Sequence, residues 1–214
     1  MPFTGDRQPP APRPVNLPEN AALIVIDMQR AIDHPGWGER NNPQAEQMIA
    51  ALLVAWRHYG MRLWHVRHDS TEPHSTYRPG QPLHDFKPET APLAGERVVA
   101  KHTPSAFVGT TLEQELRAAG CHSVVITGVI TNNSVEATAR DSGNLGFDTY
   151  VVEDVCFTFG RHDWQGEWRA ADEVHAMSLA NLEGEYCTVA RAGDVLEAIE
   201  RARRSPHRQR SATP

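Results

Sequence analysis

Residues 123–140 read SVVITGVITNNSVEATAR. The β-branched run Val124–Thr127 marks a strand, part of HSVVITGV (122–129). A tight Gly-containing turn follows, and SVEATARDSG (134–143) then has the pattern of a helix closing at Gly143. Strand, turn and helix in so short a stretch are half of a βαβ unit, so the fold depends on whether the unit recurs. Upstream, AALIVID (21–27) is a continuous apolar run ending in a carboxylate, as in a strand buried on both faces. PQAEQMIAALLVAWRHYG (43–60) spaces its apolar residues helically, with Pro43 near its start and Gly60 at its end. MRLWHVRH (61–68) and RVVA (97–100) are further strands, and TTLEQELRAAG (110–120) is a helix ended by Gly120. Downstream come a strand DTYVVED (148–154), a helix AADEVHAMSLANLE (170–183), a strand YCTVAR (186–191) and a helix AGDVLEAIERARR (192–204). The alternation predicts a three-layer α/β/α, Rossmann-like parallel sheet of about six strands joined by right-handed crossovers.

The 214 residues suit one such domain, and 40% hydrophobic with 22% charged residues suffices for a real core. We place the domain at 20–204, between a Pro-rich N-terminal arm (1–19) and a basic disordered tail (205–214). A net charge of −6 and a pI near 6.0 argue against nucleic acid or an anionic membrane as partner. No apolar stretch approaches the ~18 residues of a membrane span, and the arm lacks the apolar core of a secretory signal. Cys121, Cys156 and Cys187 are widely spaced with no C-x-x-C, which reads as buried free thiols in a reducing cytoplasm. Cys156, nearest a strand's carboxyl end, is the one cysteine placed to reach a pocket. No G-x-G-x-x-G follows the first strand, so no dinucleotide is expected, and no other cofactor is.

In doubly wound sheets ligands bind beyond the carboxyl ends of the strands, near the switch in strand order. Asp27, Lys101 and Ser134 all fall there. Singly, each has a plainer role: a turn cap, a solvated lysine, a helix N-cap. Together, beside the long Pro-, His- and Ser-rich loop 69–96, they form a candidate site for a small-molecule substrate.

The motifs ALIVIDMQ (22–29), VVAKHTPSAF (98–107), GVITNNSVEATAR (128–140), GNLGFDTYVVEDVCFTF (143–159) and VHAMSLANLEGEY (174–186) resemble those of the isochorismatase-like, or cysteine hydrolase, superfamily across residues 20–200. The resemblance implies a triad in which Asp27 accepts the nucleophile's proton and Lys101 holds the group electrostatically. Ser134 occupies the position of the nucleophilic cysteine. It also implies a cis peptide between Val129 and Ile130, with the Ile130 and Ser134 N–H groups forming an oxyanion hole at a helix N-terminus. Homo-oligomers are implied too, for which Trp64, Trp164 and Trp168 are candidate contact residues. Pocket candidates are Gln29, Trp37 and Phe86, with Lys87 beside it. Asn132 and Asn133 suit capping of the turn, and Asn133 is also counted with the pocket.

The serine is a departure. A thiol has a pKa of about 8.5 that cations and helix N-termini lower; a hydroxyl is far less acidic. Three functions stay open. One is hydrolysis of a C–N bond in a small amide or ureide, with serine at the cysteine position by engineering or by nature. A second is vinyl-ether hydrolysis with Asp27 as general acid, as in isochorismatases. The third is a catalytically silent binding protein. The nicotinamidase branch binds a metal through Asp-x-His and a later His. Here Ser70 and Thr71 follow Asp69, so His68, Asp69, His74 and His84 are not expected to hold one.

Overall fold

The computed structural model describes residues 13–204. The predicted strands are present as β1 (Ala22–Ile26), β2 (Arg62–His68), β3 (Arg97–Lys101), β4 (Ser123–Val129) and β5 (Asp148–Phe157), followed by a two-strand hairpin of β6 (Arg161–His162) and β7 (Trp168–Arg169), and β8 (Thr188–Ala190). The helices are α1 (Ala45–His58), α2 (Leu112–Ala118), α3 (Glu136–Asn144), α4 (Ala171–Leu182) and α5 (Ala192–Arg204). Six strands form one parallel sheet in the order β3-β2-β1-β4-β5-β8. The order reverses between β1 and β4, which places the switch point where Asp27 and the 128–140 stretch meet.

All five residues of β1 are buried. Leu23 and Val25 face a core shared with Ile49, Leu52 and Trp56 of α1 and Val195 and Ile199 of α5. Ala22, Ile24 and Ile26 face the opposite core, with Leu116 of α2, Ala139 of α3 and Leu182 of α4. Each fully buried Leu, Ile or Val contributes about 1.5–3 kcal/mol, so the central strand is fixed from both sides. Trp64 belongs to the second core, with its indole N–H donating to Glu115 at 2.9 Å. It is therefore not the contact surface expected of it; β2 is covered by α2. Trp164 and Trp168, on the hairpin, are exposed.

Two local features differ from the sequence expectation. β5 continues to Phe157 and carries Cys156 into the sheet, because Val155, Cys156 and Phe157 are all buried against both cores. The segment 160–173, which shows no strand signal, contains the β6–β7 hairpin. The described end of the arm, from Arg13, packs on the domain. Val15 and Leu17 are buried, Arg13 pairs with Glu183 at 2.7 Å, and the Tyr150 hydroxyl donates to the Asn16 carbonyl at 3.2 Å. The arm's first twelve residues and the tail 205–214 lie outside the described residues.

β1 and β4 pair up to the switch point, where Ile26 lies opposite Gly128. The β4–β5 register slips between Ile126 and Gly128, and Gly128 has φ of +113°. A Cβ there would lie 2.1 Å from the Ile26 carbonyl oxygen. Only glycine lets the two backbones meet in this way. Gly128→Ala is expected to lower unfolding free energy by about 3 kcal/mol or more, adding left-handed strain to overpacking. Urea denaturation measures it; a midpoint near that of the unaltered protein would refute the close-approach account.

Candidate active site

Asp27 is the first residue beyond β1. Its N–H donates to Val66 at 2.9 Å, and its φ of 52° turns the chain out of the strand. Aspartate tolerates this left-handed conformation better than most residues. Lys101 ends β3, in register with His68 of β2. Its stem spans the end of β2, so that the ammonium reaches Asp27 two strands away. The Lys101 side chain is fully buried, with Nζ 2.7 Å from Asp27 Oδ2, 3.1 Å from the Thr103 carbonyl and 3.2 Å from Ser134 Oγ. Three acceptors match the three donors of an ammonium. Burial pushes the Asp27 carboxyl pKa up, opposed by the Lys101 charge, by the Lys101 hydrogen bond and by the nearby Ser134 hydroxyl. Asp27 Oδ1 is buried without a hydrogen-bond partner among the described residues.

Ser134 lies inside a wide helical turn, Thr131–Val135, that leads into α3. It is not the N-cap: its hydroxyl is held by Lys101, and its carbonyl accepts from Thr138 Oγ1 at 2.6 Å. The turn is clamped from outside. His175 Nδ1 on α4 meets Thr131 Oγ1 at 2.9 Å, Ser178 Oγ donates to the Thr131 carbonyl at 3.3 Å, and Thr158 Oγ1 donates to Asn132 Oδ1 at 2.5 Å. The Val129–Ile130 peptide is cis, as the resemblance implies.

A cavity of about 260 Å³ opens on this group, lined by Asp27, Ser134, Ile130, Asn133 and Trp37. A second of about 610 Å³ continues outward past Trp37, Ile130 and Asn133 to Arg161 and His162. Of the two, only the smaller touches Asp27 and Ser134. Trp37 forms its wall, stacked on Phe159 at 5.5 Å, with the indole N–H on the Ala31 carbonyl at 2.9 Å.

Gln29 and Phe86 do not line it. The Gln29 amide is fully buried and spends itself on backbone, donating to the His84 and His68 carbonyls and accepting from the His68 N–H. It braces the loop rather than a substrate. Phe86 pairs with Gln29 through the backbone and sets its ring edge-on to His65 at 5.9 Å. Lys87 is buried between Glu46 and Asp33, tying the long loop to α1. Cys156 points away from the cavity into the core, where burial pushes its thiol pKa up. His84 Nε2 sits 2.7 Å from Asp69, which Arg67 also holds. His74 is exposed, and among the described residues no cluster of three potential metal ligands occurs.

The structure adds residues that strand-end reasoning missed. Tyr77 from the long loop is buried beside Asp27, its hydroxyl 3.5 Å from the Asp27 carbonyl, and burial holds its phenol well above the usual range. His68 also lines the cavity, and burial together with the Lys101 charge pulls its pKa down to about 4. Its position at the end of β2, on the same sheet edge as Asp27, was the available signal.

The Lys101–Asp27 pair makes a stability prediction. Removing one partner of a buried pair costs about 3–5 kcal/mol. In Lys101→Met the folded carboxyl would keep its proton to higher pH than in the unfolded chain. The folded state then binds more protons, so stability falls as pH rises. Denaturation at pH 5 and pH 8 should show the larger loss at pH 8, and equal losses would contradict the pairing.

Residues 21–191 match the isochorismatase domain model. The structure resembles an isochorismatase-family protein of Chromobacterium violaceum ATCC 12472 with a TM-score of 0.86 and 58% identity, covering 89% of this chain and 100% of that one. The isochorismatase family protein YrdC of Bacillus subtilis (strain 168) is 39% identical over 173 residues, 81% of this chain and 92% of its own. The maleamate amidohydrolase of Pseudomonas putida KT2440 is 28% identical over 195 residues, 83% and 86% of the two chains. The chain belongs to the isochorismatase family.

Proposed function

We propose that this protein hydrolyses the C–N bond of a small amide or ureide, with Ser134 in the nucleophile's place. The carrying observation is that one buried ammonium, Lys101, holds both the Asp27 carboxylate and the Ser134 hydroxyl at the edge of a closed-in cavity. Ser134 Oγ attacks the amide carbon as its proton passes to Asp27. The oxyanion that forms is met by the N–H groups of Ile130 and Ser134 at the start of α3, where the helix dipole favours negative charge. Collapse expels the amine, which leaves with the proton from Asp27. Water then attacks the acyl-serine, delivering a proton to Asp27; collapse releases the free acid as Asp27 returns that proton to Ser134 Oγ. Similarity to a maleamate amidohydrolase supports this bond class.

A second reading draws on the raised Asp27 pKa. A carboxyl that holds its proton is a competent general acid. It could protonate a vinyl ether, with Ser134 serving only to orient water. Mutation separates the two. Under C–N hydrolysis, Ser134→Ala abolishes amide turnover. Ser134→Cys then raises turnover at least tenfold and gains a thiol that iodoacetamide alkylates near neutral pH. Inertness of Ser134→Cys toward both amides and iodoacetamide would sink the amidase account. Activity lost in Asp27→Asn but kept in Ser134→Ala would establish the general-acid one.

A further inference from the structure

The smaller cavity has neither a lysine nor an arginine among its described lining residues. Lys101 lies beneath its floor with all three donors committed to Asp27, Thr103 and Ser134. His68 is held uncharged at neutral pH by its surroundings. His102, on the exposed rim, gives Nδ1 to the Asp69 carbonyl at 2.7 Å. Arg161 lines the outer cavities and not this one. The cavity rim instead carries a carboxylate, Glu72.

The neutral groups are arranged as donors. Ser70 Oγ accepts from the Glu72 N–H at 3.2 Å, and Ser75 Oγ accepts from the Tyr77 N–H at 3.1 Å. Each hydroxyl thus uses a lone pair on its own loop. Among the described residues neither donates a hydrogen bond, so both protons are available to a ligand. Ser70 is 6% exposed, in a wall where an unmet donor is costly and a ligand acceptor is correspondingly favourable. At about 260 Å³ the space lies below the roughly 300–1,000 Å³ of drug-sized sites.

From these residues we infer that the cavity selects a small uncharged amide, whose far end accepts hydrogen bonds from Ser70 and Ser75, and rejects substrates bearing a carboxylate. A carboxylate there would lose its water, meet no cation and face Glu72. This inference rests on the amide-hydrolase reading for its reaction but not for its binding. It separates the present chain from its maleamate-hydrolysing relative, whose substrate is an anion.

Maleamide and maleamate have nearly the same shape and differ by one charge, so they make the test. Binding of each to Ser134→Ala is measured by calorimetry, and ammonia release from each is followed with the unaltered protein and Ser134→Cys. Maleamide is expected to bind at least tenfold more tightly. Glu72→Gln should narrow the gap several-fold. Ser70→Ala combined with Ser75→Ala should weaken maleamide about tenfold or more while moving maleamate little. Equal or tighter binding of maleamate overturns the inference, and so does binding of neither compound. Maleamide that binds yet is never cleaved, even by Ser134→Cys, leaves the selection rule standing and defeats the C–N hydrolysis proposal instead.

Discussion

The buried contact between Lys101 and Asp27 is the constraint around which this site is organised. Two opposite charges are taken out of water at the crowded carboxyl edge of the sheet. Such a pair is tolerated only when geometry is good and the remaining donors are used. Both conditions hold: the separation is 2.7 Å, and Thr103 and Ser134 take the other two lysine hydrogens. The contact joins β3 to β1 across the end of β2, and through Ser134 it reaches the turn after β4. Three strand ends that the sheet only brings near one another are thereby fixed to within hydrogen-bond distance.

The turn itself is held from the opposite side. α4 contributes His175 and Ser178 to Thr131, and the region after β5 contributes Thr158 to Asn132. Gly128 allows the close backbone approach beneath them. Polar residues in an amphipathic helix pattern, as in VHAMSLANLE, therefore serve the neighbouring loop rather than solvent. Ser178 and His175 are buried, and both lie on the face that packs on the turn.

The sheet and its helices were legible because their signals are local. β-branched runs, helical spacing and Gly or Pro at the ends each act within a few residues. Asp27, Lys101 and Ser134 were legible for a related reason, since strand ends share one edge whatever the loops do. Direction was not legible. Gln29 lies just past Asp27 and Phe86 on the long loop beside the edge, but their side chains serve the backbone of that loop and the ring of His65. Tyr77 and the serines of that loop reach the cavity by a path that no period encodes. Trp64 shows the same limit from the other side: an amphipathic aromatic suits an interface or a core equally, and only α2 decides between them.

Oxygen at residue 134 shifts the chemical burden within the same scaffold. With sulfur, an ammonium and a helix N-terminus would suffice to hold a thiolate, and the carboxylate would need only to receive a mobile proton. A hydroxyl does not ionise under that influence, so its proton must leave as the bond to carbon forms. The acceptor must then be basic at that moment. Burial raises the Asp27 pKa in the required direction, while Lys101 opposes the rise and keeps the carboxylate available. The same balance that makes Asp27 a usable base for serine also makes its conjugate acid a usable proton donor. The proposed amide hydrolysis and the alternative general-acid cleavage would thus be two uses of one tuned carboxyl group, distinguished by the fate of the Ser134 oxygen.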